Sequence, residues 1–377
     1  MKYNYPLFKV HVDVEQAILN LKSVLKSGFL NEGEQVTQFA EAMQNYLQHE
    51  NAIPLNSCTS ALTLALRLSG VKDGAEVIAP SMTCVASLTP IHDVGGKLVW
   101  ADIKSNTGNI DLENVKKKIN KNTKAVLCVN WAGLPCELKE LHELCKENGI
   151  KLIQDAAHSF GATYNGKHVC HFSDFTCYSF QAIKHITCGD GGLLVCSSDD
   201  DYTKAKKLKW FGFDRDGCKD EKGEWKGQRW NVDIDEAGHK FYMNNVSAAL
   251  GLSQVGHMQN LINKHRENAK IYFEKFSEIE TIKPLLFPSN SNPSHWVYTV
   301  LLDENLDRDV ILKKLNEQGI GAGLVHVPCH YYTCFKDSLE KLPETDYFYE
   351  HQLSLPCGWW LEEKDINCII KEIKGFI

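Results

Sequence analysis

The sequence predicts an α/β protein with a mostly parallel central sheet flanked by helices, followed by a smaller C-terminal α+β domain. Three observations carry this reading. Between residues 51 and about 200, short apolar runs alternate with helix-length stretches, the pattern of a parallel sheet with helices on both faces. One apolar run ends in a carboxylate, Asp155, within Lys151-Leu-Ile-Gln-Asp-Ala-Ala-His158. In such sheets ligands sit at the carboxyl ends of strands. A further apolar run, Phe175–Phe180, leads to Lys184 and then through Gly189-Asp-Gly-Gly192 into Leu193–Cys196.

The elements follow in order. Asp13 to Lys26 has apolar residues at 14, 17, 18, 21, 24 and 25, one face of a helix. Asp13 with Gln16 resembles a capping box, and Gly28 suits a C-cap. A second helix places Val36, Phe39, Ala40, Met43 and Leu47 on one side. Strands are expected at Glu76–Ala79, Lys97–Trp100, Ala125–Val129 and Lys151–Gln154. They are separated by helices at Thr59–Leu68, Leu112–Ile119 and Leu138–Asn148. Residues 217–240, with Gly217, Gly223 and Gly227, read as a long polar loop. Val246–Gln259 and Ile262–Phe276 read as helices. The smaller unit then has a strand at His295–Leu302, a helix at Asp307–Gly319, a strand at Ile320–Val327 and a terminal helix at Lys364–Ile377. The expected division is a large domain over 1–255 and a connecting helix with a small domain over 256–377.

Composition narrows the function classes. A chain of 377 residues, 43% apolar and 24% charged, can bury one large core and a second, smaller one. The net charge of −7 gives no support to nucleic-acid binding, which leaves a basic footprint. Fourteen cysteines are scattered without a Cys-x-x-Cys pair, which argues against a zinc ribbon or a thioredoxin-like motif. No apolar run approaches the roughly 18 residues of a membrane span. The start, Met1-Lys-Tyr-Asn-Tyr-Pro6, is polar, with no signal-peptide pattern. A reduced, cytoplasmic protein is expected, its cysteines acting mostly as small buried hydrophobes.

Asp155 and Lys184 carry the chemistry. A lone lysine beside a strand is usually a solvated surface charge, and an Asp after a strand usually caps a helix. Together, at strand ends, they are what pyridoxal 5'-phosphate (PLP) requires: the lysine forms the Schiff base and the carboxylate holds the pyridinium proton. A partly desolvated lysine loses its proton more easily and becomes a nucleophile. Ala156 and Ala157 leave room for a flat ring, and His158 is next to it, where it can hydrogen-bond the ring's 3′ oxygen. Asn56-Ser-Cys-Thr-Ser60 opens a helix whose first amides and dipole favour an anion. Thr59 and Ser60 add hydroxyls, and Ser179 stands five residues before Lys184. His326 and His330 have a His-x-x-x-His spacing. On a strand followed by a Pro turn those side chains diverge, and no third ligand is apparent, so no metal is expected.

These residues resemble the DegT/DnrJ/EryC1/StrS family of PLP-dependent sugar aminotransferases. The resemblance runs along nearly the whole chain. Its landmarks are Ser57-Cys-Thr-Ser-Ala-Leu62, Gly74-Ala-Glu-Val-Ile-Ala-Pro80, Trp131-Ala-Gly-Leu-Pro135, Asp155-Ala-Ala-His-Ser-Phe-Gly-Ala162, Ser179-Phe with Lys184 and Gly189-Asp-Gly-Gly192, and Leu353-Ser-Leu-Pro356. It implies a fold-type I architecture, like that of aspartate aminotransferase. It also implies roles: Lys184 as the Schiff-base lysine, Asp155 as the pyridinium partner, and His158 over the 3′ oxygen. Ser179, Thr59 and Ser60 match the phosphate pocket. Lys240 falls where family members reach the phosphate of a neighbouring subunit, which implies a homodimer with shared active sites. Two positions depart from the family pattern. Cys58 stands where the phosphate loop commonly has glycine, and Cys84 where many members stack an aromatic ring on the cofactor.

The loop Trp210-Phe-Gly-Phe-Asp-Arg215 resembles one in sugar 4-aminotransferases of the perosamine and viosamine type. There Arg215 is placed to meet a diphosphate, its alternative being a solvated loop charge. His326 and His330 match a segment at the mouth of the site. The implied reaction is transfer of an amino group from L-glutamate, leaving 2-oxoglutarate, to a nucleotide-linked keto-deoxysugar, with a 4-keto-6-deoxyhexose foremost. Family branches with histidine in place of the lysine are sugar 3-dehydratases. Lysine at 184 favours transamination over that alternative, and the intact site argues against a non-catalytic PLP-binding regulator.

Overall fold

The computed structural model describes residues 3–377 except 216, 219, 221–225, 227–232 and 339. Gly223 and Gly227, expected in a loop, lie outside the described residues. Seven strands form the main sheet: β1 (Ala52–Leu55), β2 (Glu76–Pro80), β3 (Lys97–Ala101), β4 (Thr123–Val129), β5 (Lys151–Asp155), β6 (Phe175–Ser179) and β7 (Gly192–Cys196). Their order is β1-β7-β6-β5-β4-β2-β3. All neighbours from β6 to β3 pair in parallel, and β7 runs antiparallel to both β6 and β1. The carboxyl ends of β1, β2, β4, β5 and β6 therefore share one edge with the start of β7. Most of these strands are buried along their whole length, which is why they read as continuous apolar runs rather than alternating ones.

Helices cover the sheet: α1 (Val14–Ser27), α2 (Glu34–Leu47), α3 (Cys58–Leu68), α4 (Val85–Asp93), α5 (Leu112–Lys118), α6 (Leu138–Glu147), α7 (Asp199–Leu208) and α8 (Asn245–Leu252). Asp13 caps α1 by accepting from the Gln16 amide at 3.0 Å. The Gln16 side chain turns to Asn20 instead, so only half of the expected capping box forms. Gly28 closes α1 in the left-handed region at φ 69°, which favours glycine. Phe39, Met43 and Leu47 of α2 are fully buried against the sheet.

A long helix, α9 (Met258–Phe276), leads to a three-stranded antiparallel sheet of β8 (Ile282–Pro284), β9 (Tyr298–Leu302) and β10 (Gln352–Leu355). Helices α10 (Arg308–Glu317), α11 (Pro343–His351) and α12 (Glu363–Lys374) complete this unit. Its own core gathers Tyr272, Phe276, Val300, Leu315, Leu353 and Ile366. The strand expected at Ile320–Val327 does not form. The Gly321 amide donates to Tyr5, and Gly323 and Ser354 exchange a pair of backbone hydrogen bonds in an isolated bridge instead. β9 starts at Tyr298, not His295, whose φ of 46° breaks the extended run. The helix expected over 246–259 ends at Leu252 and resumes as a short 3-10 turn at Val255–His257. Among the described residues no helix is long and apolar enough to cross a membrane.

Candidate active site

A cavity of about 390 Å³ opens at the carboxyl edge of the main sheet. It is lined by residues at the strand ends or in the segments just beyond them: Thr59 beyond β1, Cys84 beyond β2, Asp155 at the end of β5 and Lys184 beyond β6. The crossover topology alone brings these distant positions to one place.

Asp155 is the last residue of β5 and is 5% exposed. Its Oδ2 accepts from Ser87 Oγ at 2.6 Å, and its Oδ1 from the Ala157 amide at 3.0 Å. Burial pushes its carboxyl above the usual range, while Ser87, Ala157 and the charge of Lys184 pull it back. Such a carboxylate is placed to neutralise a cationic group brought into the cavity.

Lys184 sits in the loop after β6, its amide bonded to the Gln181 carbonyl at 3.0 Å. The residue is half-buried by area, but its amine is the enclosed part, 3.8 Å from the ring centroid of Trp296. Burial lowers its pKa to about 8, against the opposing charge of Asp155. A lysine tuned this way exchanges protons near neutrality.

Trp296 ties the site together. Its Nε1 donates to the Ile183 carbonyl at 2.9 Å, one residue before Lys184. His158 stacks on it at 4.0 Å, and His326 stacks on His158 at 5.4 Å. His158 is buried, and its Nδ1 has no partner among the described residues. Burial holds its pKa well below the ordinary value, so the ring is neutral.

The start of α3 faces the same cavity. Ser57 is the N-cap, accepting from the Ser60 amide at 3.0 Å. Gly192 makes this approach possible: a Cβ there would lie 2.2 Å from the Ser57 carbonyl carbon and 2.5 Å from the Cys58 nitrogen. Gly189, at φ 77°, turns the chain into β7. A neutral-poised amine, a buried carboxylate, an orphaned imidazole nitrogen and a helix N-terminus thus converge. This donor set fits PLP: an aldehyde for the amine, a pyridinium for the carboxylate and a phosphate for the helix.

A model of the DegT/DnrJ/EryC1/StrS aminotransferase family matches residues 12–374. The chain belongs to that family. The GDP-perosamine synthase of Vibrio cholerae is 30% identical over 364 residues, 94% of this chain and 95% of its own. Among solved structures, AtS13 from Actinomadura melliaura is 31% identical with a TM-score of 0.92, covering 100% of this chain and 99% of that one. Spr1654 from Streptococcus pneumoniae, solved in a PLP form, is 27% identical with a TM-score of 0.89, covering 99% of this chain and 98% of that one. The fold is that of PLP-dependent sugar aminotransferases, and the chain is an enzyme of that kind.

The other residues singled out in this DegT/DnrJ/EryC1/StrS sequence divide by place. Ser179, Thr59, Cys84 and His326 line the cavity with Lys184, Asp155 and His158. Ser60 does not line it; its hydroxyl donates to Asn56 Oδ1 at 2.6 Å and serves the cap of α3. Cys58 does line it, its thiol 4.0 Å from Asp155 Oδ1 and 3.5 Å from the Cys177 carbonyl. His330 is drawn away, with Nδ1 2.7 Å from Ser81 Oγ and Nε2 3.2 Å from Asp346. Arg215 lies in a separate cleft, paired with Glu32 at 3.0 Å and resting on Trp210. Lys240 is exposed, its carbonyl accepting from Asn56 at 3.4 Å, and it is not among the cavity residues.

Phe8, Ser87 and Trp296 escape sequence reasoning. Each belongs to an element remote in the chain from the Asp155 and Lys184 landmarks. The nearest signal in the sequence is that Cys84 leaves the usual aromatic position vacant, so a ring must come from elsewhere.

Proposed function

We propose that this enzyme transfers an amino group from L-glutamate to a nucleotide-linked keto-deoxysugar, a 4-keto-6-deoxyhexose, giving an amino-dideoxy sugar nucleotide and 2-oxoglutarate. The observation that carries this reading is the enclosure of Lys184 and Asp155 in one cavity at the carboxyl edge of the sheet. Membership of an aminotransferase family and the likeness to a GDP-perosamine synthase support the sugar class.

When bound, PLP supplies the electron sink for the bond broken at the donor's Cα. The protein's residues do the rest. Asp155, held by Ser87 and the Ala157 amide, keeps the proton on the ring nitrogen. Thr59, Ser179 and the first amides of α3 receive the phosphate. His158 offers its free Nδ1 to the ring's hydroxyl. The Lys184 amine, unprotonated in appreciable part near its pKa of about 8, would take the proton from the donor's Cα and deliver it to the C4′ carbon of the cofactor. Such general-base help is worth ~10²–10⁴-fold. Enclosure by Trp296 and His158 excludes water during that transfer.

The same reading includes a homodimer with shared active sites, Lys240 reaching the neighbouring phosphate and Arg215 the sugar diphosphate. Support comes from α1 and the turn after it, which expose Ile18, Leu25, Phe29 and Leu30 by about half their area or more, a patch that calls for a partner. The division at 255/256 into a large PLP domain and a small domain, and a cytoplasmic location, also belong to this proposal.

The test is to incubate the enzyme with L-glutamate and GDP-, dTDP- or UDP-linked 4-keto-6-deoxyhexoses, then identify products by mass and NMR. An amino sugar formed mole for mole with 2-oxoglutarate is expected. A deoxysugar with free ammonia, or no reaction with any of these sugars, would overturn the proposal.

A further inference from the structure

The N-terminal segment reaches the active site. Residues 4–9 form no helix and share one isolated bridge, Tyr5 to Ile320. They are nevertheless held at several points. The Asn4 and Tyr5 amides donate to the Gly319 carbonyl, and the Gly321 amide donates back to Tyr5. Trp360 Nε1 donates to the Pro6 carbonyl at 3.1 Å, and Trp359 Nε1 to the Lys9 carbonyl at 3.2 Å. This strap delivers Phe8 to the cavity wall, where its ring stacks on Trp296 at 4.6 Å with planes 23° apart. Trp296 is the residue that encloses the Lys184 amine and bonds the Lys184 loop. Phe8, Trp296, His158 and His326 make one run of stacked rings from four separate stretches of chain.

We propose that Phe8 is a positioning residue for Lys184, acting through Trp296. This rests on Lys184 being the reactive amine. Without the Phe8 ring, Trp296 keeps its bond to Ile183 but loses a stacking partner, and water gains a path to the amine. Burial is the largest influence on that amine. It outweighs the charge of Asp155; Cys58, Cys84, His158, His185 and His326 are the other titratable groups around it.

The experiment reads the lysine without turnover. The full chain, stripped of cofactor, is labelled with an amine-acylating reagent across pH 6–10, and modification at Lys184 is followed by peptide mass spectrometry. Phe8→Ala and Phe8→Leu should move the labelling midpoint up by about one pH unit, with ~10-fold slower labelling below it. Phe8→Tyr, which keeps the ring, should overlay the parent. Should Phe8→Ala fail to fold, Phe8→Leu against Phe8→Tyr decides. Overlay of the Ala and Leu variants with the parent overturns the proposal. So does a Tyr variant displaced as far as they are, which would mark general disruption. Retained turnover in Lys184→Ala would instead remove the reactive-amine reading, so the two failures are distinguishable.

Discussion

At the scale of residues, the site separates into groups that react and groups that aim them. Lys184→Ala should abolish turnover and the absorbance band of the cofactor's Schiff base with this lysine; a variant that still turns over would remove the lysine from the mechanism. Asp155→Ala should leave cofactor binding measurable while slowing the reaction by about 10²-fold or more. Ser87 is a subtler case. Its hydroxyl donates to a buried carboxylate, and hydrogen bonds to charged groups contribute about 1.5–3 kcal/mol. Ser87→Ala should therefore lower kcat roughly tenfold, with KM for glutamate little changed, as steady-state kinetics would show. Asp155 and Lys184 announce themselves in sequence because each sits beside a strand with small or glycine neighbours. Ser87, Trp296 and Phe8 do not, because their roles arise from contacts 68, 113 and 288 residues away. Ser60 and His330 show the converse: their residue types suit the site, but local hydrogen bonds to Asn56 and to Ser81 with Asp346 claim them.

At the scale of elements, the decisive junction is where β7 passes the start of α3. Gly192→Ala would drive a methyl group into the Ser57–Cys58 backbone, and neither side can yield without moving the helix N-terminus. Overpacking of this kind costs about 1–3 kcal/mol. The variant should melt several degrees lower and bind PLP more weakly, as thermal unfolding and cofactor titration would reveal; unchanged PLP affinity would sever this junction from the phosphate site. The buried strands are legible in sequence because apolar residues dominate most of them, and helices α1 and α2 because their apolar residues keep a helical period. Helix α4 is not, since it is nine residues long and carries Pro90. Helix α11 and strand β10 run together through His351–Gln352 with no turn residue between them. Segment 320–327 has the composition of a strand, but its partners, the N-terminal strap and β10, lie far away in sequence.

At the scale of the whole molecule, the imidazoles kept neutral inside the fold make stability depend on pH. His158, His185 and His265 are buried, the first two held well below their ordinary pKa and His265 lowered to about 4, in each case mainly by desolvation. His295 and His326 are lowered to about 3 by the same cause. Between these values and about 6.5 the unfolded chain binds protons that the folded chain refuses. Stability is therefore fully present above about pH 6.5 and is lost as pH falls toward the folded values, each imidazole contributing a slope of up to ~1.4 kcal/mol per pH unit. Paired carboxylates such as Asp214 act in the same direction, but only below about pH 4, near their ordinary pKa. An onset near pH 6 is thus the mark of histidine. Urea-unfolding midpoints of the cofactor-free protein should fall steadily from pH 7 to pH 5. His265→Gln, at a residue that does not line the cavity, should flatten that fall while lowering the midpoint at pH 7, because its bond to the His295 carbonyl is altered. A midpoint constant from pH 7 to pH 5 would mean that these rings find proton-stabilising partners on acidification, and the neutral-core account of the molecule would be wrong.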